Sequence, residues 1–198
     1  MQTFFIDGRV DSGTLRILTN DEISQLNKRK FSVNVWAGVI GRTLIGPHFL
    51  PENLNGDNYL HFLQNDLPRL IQESGAPIFE TDREIIFQQD GCPAHWTLNV
   101  REHLNNNFPD SWIARDGPIP WPARSPDLTP LDFFVWARAK ELVYTEVEIN
   151  TREDLKERIN SAFEAMKEQI MMKVTTTEVR KRARTCIRNN GQHFEHQQ

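Results

Sequence analysis

The sequence predicts an α/β domain: a mixed β-sheet flanked by helices, with further helices at the C-terminus. Three observations carry this. An alternating, Val- and Trp-rich stretch, Phe31–Ile40, turns through Gly41 and Arg42 into a second apolar stretch, as a β-hairpin does. A short apolar run, Glu84–Asp90, ends in a carboxylate and meets Gly91 at once, the pattern of a buried strand with an acid at its C-terminal end. Between and after these runs lie segments with helical spacing and legible caps. Strands first, then strand alternating with helix, then helices alone is the order of an α/β fold.

In residues 1–30, "FFI" reads as a short strand and "LTNDEISQLNKRK" as a turn or short helix. The strand returning from the Gly41-Arg42 turn is "TLIG", and Pro47 closes it. Asp57–Ser74 sets Tyr59, Phe62, Leu63, Leu67, Leu70 and Ile71 at helical spacing, with Pro68 breaking or kinking the helix. Thr97–Phe108 is an amphipathic helix carrying Leu98, Val100, Arg101 and Leu104, and "SWIA" reads as another short strand. A loop stiffened by Pro118, Pro120, Pro122 and Pro126 then leads into a helix with Thr129 as N-cap, Pro130 at its first position and Asp132 at its third. Thr151-x-x-Asp154 is a capping box with Asp in place of Glu, and Leu155, Ile159, Ala162, Phe163, Met166 and Ile170 form the apolar face behind it. A basic helix over Thr177–Arg188 comes last.

A chain of 198 residues fits one domain and buries roughly 70% of its unfolded surface, so folding requires neither disulfide nor metal. Two cysteines, Cys92 and Cys186, make no disulfide framework and point to a reducing compartment. The opening residues lack a basic region and a long apolar stretch, which reads against a signal peptide, and no apolar run is long enough to span a membrane. A net charge of −4 reads against a surface that grips nucleic acid everywhere. The charge is uneven, though: Lys173, Arg180, Lys181, Arg182, Arg184 and Arg188 face a single acid, Glu178. That face is either a solvated helix surface or a phosphate-contacting one.

Two carboxylates stand out. Asp90 sits where open α/β sheets place ligands, beyond the C-terminal end of a strand, although an Asp there also caps a turn through its own side chain. Asp132 is explained by the helix dipole alone, or it is a ligand held at a helix start. The prolines ahead of it each restrict the unfolded chain by about 0.4–1 kcal/mol, a stiffness suited to holding a ligand in place. Cys92 and His95 form a Cys-x-x-His pair, but no second pair with zinc spacing exists, and His193 and His196 lie in a polar tail. Cys92 reads as a space-filling residue in a strand-to-helix turn, and Trp121 and Trp136 read as core.

"FQQDGCPAHWTLNVREHL" followed by "WIARDGPIPWPARSPDLTPLDFFVW" resembles the catalytic core of mariner-like transposases, a DDE/D family of the RNase H-like fold. "VNVWAGVIGRTLIGPHFL" resembles the family's second and third strands, and "TREDLKERINSAF" and "GQHFEH" its C-terminal part. The resemblance covers roughly residues 32–196. It implies a divergent N-terminal segment over 1–30, an RNase H-like core over 31–150 and a C-terminal helical part of the same domain over 151–198. It implies that Asp90 is the second catalytic acid, Asp132 the third, and Asp127 a structural aspartate of the loop. The first acid is not evident: "NDE" at Asn20–Glu22 lies too close to the hairpin, and Asp7 ends a plausible strand in unmatched surroundings. The family's N-terminal helix-turn-helix has no counterpart, so the chain reads as N-terminally truncated.

The resemblance further implies Mg²⁺ or Mn²⁺ held by Asp90 and Asp132, DNA as partner (transposon ends in the parent family) and a nuclear location, while the basic run puts the DNA contacts at Arg180, Lys181, Arg182 and Arg184. It leaves room for a homodimer and implies no membrane. The function implied is two-metal phosphoryl transfer on DNA phosphodiesters, impaired for want of the first acid. The alternative is a catalytically inactive, transposon-derived nucleic-acid-binding or interaction module that keeps the fold without the chemistry.

Overall fold

The computed structural model describes residues 2–7, 32–76, 85–120, 128–144, 149–173 and 176–191, with backbone alone over 2–7, 168–173 and 176–179. Asp21, Glu84, Trp121, Pro122, Pro126, Asp127, His193 and His196 lie outside the described residues.

Strands β1 (Gln2–Asp7), β2 (Ser32–Ile40) and β3 (Thr43–Leu50) form an antiparallel sheet in that order. Gly41 takes a φ of +59° at the first position of the two-residue turn between Ile40 and Thr43, where a hairpin with right-handed twist needs it. The expectation that Pro47 closes the returning strand fails: β3 runs through it to Leu50. The ladder shifts register between Trp36 and Gly38, so Gly46 and Pro47 together face Ala37. In that bulge, on the outer strand of the described sheet, a residue without an N–H costs no ladder bond.

Alternation along β2 sends side chains to both faces. Val33, Val35 and Ala37 enter one buried cluster with Leu44, while Trp36 enters another with Ile45 and Leu50. Helices cover both clusters, giving the layered α/β arrangement the sequence predicts.

On the Trp36 side lies α1, wound as α-helix over Gly56–His61, as π-helix over Phe62–Asp66 and as α-helix again over Leu67–Glu73. Pro68 cannot donate to the carbonyl four residues back, and the helix widens just ahead of it instead of breaking. Its start is capped by Asn55, whose side chain accepts from the Asn58 N–H at 2.9 Å. Strands β4 (Phe87–Gln88), β5 (Trp112–Ala114) and β6 (Ile119–Pro120) form a parallel sheet in that order, so the described strands fall in two sheets, one antiparallel and one parallel, where the sequence predicts one mixed sheet. β4 is shorter than the buried run expected over Glu84–Asp90. Ile85 and Ile86 are 40% and 55% exposed, and burial begins only at Phe87, where the ladder to β5 starts. Helix α2 (Leu98–Asn107) buries Val100 and Leu104. Leu98, expected on that face, is 60% exposed, because it stands two residues from Val100 and so well round the helix from it.

On the Val33 side, α3 winds as a π-helix over Leu131–Trp136 and as an α-helix over Ala137–Val143. It packs with α4 (Arg152–Lys173), whose Leu155, Ile159, Ala162, Phe163 and Met166 are buried as predicted. The side chain of Ile170 falls outside the described residues. Helix α5 (Thr176–Arg188) follows.

The α4 capping box forms as written: the Asp154 N–H donates to Thr151 Oγ1 at 3.0 Å, and the Thr151 N–H donates to Asp154 Oδ2 at 3.0 Å. Thr151→Ala removes the acceptor for one orphan N–H and is expected to lower stability by about 1 kcal/mol, read as a shift in urea midpoint at unchanged slope. The α3 start differs from expectation. The Thr129 carbonyl accepts from the Asp132 and Phe133 N–H groups at 2.9 and 3.1 Å, but its hydroxyl is buried with no partner among the described residues. The backbone of Thr129 opens the helix and its side chain does not cap it.

Candidate nucleic-acid active site

Asp90 follows β4 by two residues, at the C-terminal edge of the parallel sheet. The Gln89 N–H donates to the Ile113 carbonyl at 3.0 Å, extending the ladder to within one residue of the carboxylate. Beyond it the chain turns, and Asp90 Oδ1 accepts from the Cys92 N–H at 3.1 Å. The turn-capping role weighed from sequence is thus realised, and it fixes the carboxylate rather than consuming it, since among the described residues it is Oδ1 that is engaged.

That same oxygen lies 2.6 Å from Nδ1 of His95, although the N–H points off the line of an ideal hydrogen bond. His95 sits in a single 3₁₀ turn, Pro93–Trp96, and is fully buried. Its ring stacks on Tyr59 of α1, centroids 4.0 Å apart. The Tyr59 hydroxyl donates to Gln89 Oε1 at 3.1 Å, and Gln89 Nε2 donates to the His95 carbonyl at 2.7 Å. Residues on α1, after β4 and in the 3₁₀ turn therefore close a ring of contacts behind Asp90. Burial, with the nearby Asp90 charge, pushes the Tyr59 phenol well above its ordinary value, so it stays a neutral donor. Sequence reasoning weighed His95 only as half of a Cys-x-x-His pair. The signal that could have found it is the spacing of five from Asp90 across a Pro, which one tight turn closes. Burial also pushes the Cys92 thiol up, which works against a thiolate nucleophile or zinc ligand there.

Asp132 stands half-buried in the first turn of α3, inside the π-wound stretch. A π turn sets its residues at a different angle from an α turn, and such turns recur at functional sites. The next residue, Phe133, carries the guanidinium of Arg182 over its ring at 3.9 Å, which docks α5 onto α3 beside Asp132. Arg182, expected with Arg180, Lys181 and Arg184 as a DNA contact, is thus engaged within the chain, while the other three are exposed.

The segment bearing Asp90 packs with the Trp36 cluster, and α3 packs with the Val33 cluster on the other face of β2. Among the described residues, no three His, Cys, Asp or Glu side chains gather to hold an ion. Asp7 ends β1 opposite Ser32, next to the strand that separates the two clusters, and its side chain is outside the described residues.

The order of these elements and the helices on both faces agree with solved structures. The catalytic domain of Mos1 mariner transposase superposes with a TM-score of 0.65 at 21% identity, covering 98% of this chain and 84% of that one. The chain has the fold of a mariner transposase catalytic domain. The same domain solved with Raltegravir and Mg gives a TM-score of 0.67 at 21% identity over 98% of this chain and 84% of that one. A Mos1 paired-end complex with the left transposon end gives 0.67 at 21% identity, over 98% of this chain and 55% of that one. In sequence, the chain is 24% identical over 115 residues to the Tc3 transposase of Caenorhabditis elegans, 58% of this chain and 31% of that protein. The chain therefore spans about a third of the length of that curated relative. No family model matches. The resemblance to mariner-like transposases and the RNase H-like α/β fold drawn from sequence are both borne out.

Proposed function

We propose that this chain is a transposase-derived core that binds DNA and acts weakly, if at all, on its phosphodiester bonds. The observation that carries the reading is Asp90, held by the Cys92 N–H and His95 at the C-terminal edge of the parallel sheet, in the fold that Mos1 uses as its catalytic domain. The Mos1 structures named for Mg and Mn, and those named for transposon ends, support divalent metal and DNA as its cofactor and partner.

The donor chemistry fits a hard divalent ion: carboxylate oxygens at Asp90 and Asp132, one oxygen of Asp90 already fixed by the chain. When bound, Mg²⁺ or Mn²⁺ supplies Lewis acidity toward a phosphoryl oxygen. The chain's own part is to hold Asp90 rigid from behind, through the His95–Tyr59–Gln89 ring, and to hold Asp132 on a helix start anchored by Leu131, which is buried. Convergence of the two carboxylates on one ion belongs to this proposal.

Weak catalysis follows from charge. A pair of divalent ions brings four positive charges, and two carboxylates offset half of them, so the two-ion arrangement is sparsely populated without a third acid. Asp7 is the candidate, since β1 joins the core sheet beside β2. The test is nicking of supercoiled DNA in Mg²⁺ or Mn²⁺, beside Asp90→Ala and Asp7→Ala. Weak nicking lost in both variants identifies Asp7 as the third acid. Robust nicking that survives in Asp7→Ala overturns the impairment and the role given to Asp7. Nicking that survives in Asp90→Ala overturns the site.

DNA affinity resting on the last helix predicts a further result. Replacing Arg180, Lys181 and Arg184 with Gln is expected to flatten the dependence of log K on log salt by about 0.9 for each phosphate that is no longer neutralised. Arg182→Gln leaves that slope nearly unchanged and lowers stability instead, because Arg182 lies on Phe133. An unchanged slope in the triple variant makes the face a solvated one.

A further inference from the structure

Arg115 is the first residue after β5 and so stands, like Asp90 after β4, at the C-terminal edge of the parallel sheet. Its guanidinium lies over the ring of Trp96 at 4.7 Å from the centroid. The Trp96 indole nitrogen is buried, and the ring carries the arginine on its face. The stem of Arg115 crosses Gly91, the residue next to Asp90: its Cβ and Cδ lie 3.9 Å from where a side chain on Gly91 would begin. Gly91 thus leaves open the space over which the arginine passes. The side chain is 59% exposed, and its ion pair with the neighbouring Asp116, at 3.7 Å, is exposed and weak.

A cation held on an aromatic face, its stem passing the glycine next to a candidate ligand for a divalent ion and on the same sheet edge, has the chemistry of a phosphate contact. Guanidinium binds phosphate oxygens through a planar fork, and stacking on Trp96 restricts the side chain before any phosphate arrives, so less entropy is lost on binding. We infer that Arg115 contacts a backbone phosphate of the DNA strand lying across Asp90, with Trp96 holding it in place. The contact reads no base, because a phosphate carries no sequence information. This inference rests on the DNA-binding reading above and names a contact within it.

The test is fluorescence anisotropy of a labelled DNA duplex of arbitrary sequence, titrated with the full chain in EDTA across a salt series, so that neither metal nor catalysis enters. Arg115→Gln is expected to weaken binding about tenfold, as loss of a charge-assisted hydrogen bond does, and to flatten the salt slope by about 0.9. Arg115→Lys is expected to restore the slope but only part of the affinity, lacking the fork. Arg69→Gln, which removes an exposed arginine paired with Asp66 and Glu73 on α1, serves as the control for a general change of charge. Unchanged affinity and slope in Arg115→Gln, or an equal loss in Arg69→Gln, overturns the assignment while leaving DNA binding intact. A wild-type chain that does not bind the duplex overturns the DNA-binding reading, and this contact with it.

Discussion

Replacing Trp136 with alanine is expected to lower the stability of the folded chain by about 3–5 kcal/mol. The residue is 2% exposed and sits where the π-wound part of α3 passes into its α-helical part. Its ring meets Phe163 of α4 in a tilted arrangement, centroids 6.1 Å apart. It shares one buried cluster with Val33 and Val35 of β2 and Val143 at the far end of α3. Alanine at this position leaves a cavity of indole size between two helices and a sheet, and the rigid β-branched neighbours from the sheet cannot collapse into it. The loss is of the same order as the whole stability of a small domain, so much of the variant is expected to be unfolded at room temperature. The measurement is urea unfolding followed by far-ultraviolet circular dichroism. A drop of less than about 1 kcal/mol would show that α3 and α4 are not packed as described. Because Asp132 rides on the same helix, Trp136→Phe, which keeps an aromatic ring against Phe163, is the variant in which to compare metal binding.

What the sequence made legible was local. The Thr151–Asp154 box, the α1 stripe and the Gly41 turn are each settled within a few residues, by backbone geometry and side-chain reach, and each formed as written. Pro47 was misread because whether a proline ends a strand depends on its partner strand: the bulge opposite Ala37 and the outer position of β3 are properties of the ladder, not of "GPHF". Leu98 and the Ile85-Ile86 pair were misread because apolar character alone does not say which apolar residues are covered. Thr129 shows the same limit at a helix start, where the residue type fits a cap but the hydroxyl faces the interior.

For the candidate site the division is sharper. Asp90 and Asp132 are candidates read from two compact motifs, whose prolines and glycines are visible in one dimension. His95 stacks on Tyr59, which lies 36 positions earlier on a helix, and Arg182 meets Phe133 from 49 positions away. Neither pairing leaves a periodicity to read. Arg115 likewise reaches Gly91 only because β4 and β5 pair in parallel, with Gln88 beside Ile113.

His95→Phe is expected to weaken divalent ion binding about 10–100-fold, the range found when the group that orients a metal ligand is removed. A carboxylate oxygen only accepts, and Nδ1 of His95, 2.6 Å from Asp90 Oδ1 with its N–H off the ideal line, is the group placed to orient it. Holding Oδ1 in this way, together with the Cys92 N–H, restricts rotation of the carboxylate, whose side chain is 24% exposed. Phenylalanine keeps the stack on Tyr59 and the buried volume but offers no donor, so the carboxylate rotates about its own axis and spends part of its time out of position. His95→Asn does the opposite: its amide nitrogen can stand near the place of Nδ1, while the stack is lost. If His95 acts by orienting Asp90, Asn binds the ion closer to wild type than Phe does, although Phe is the more stable of the two. If His95 serves packing alone, the order reverses, with Phe near wild type and Asn impaired. Mn²⁺ titration followed by electron paramagnetic resonance, with thermal unfolding of both variants alongside, separates the two outcomes without requiring the chain to cleave DNA.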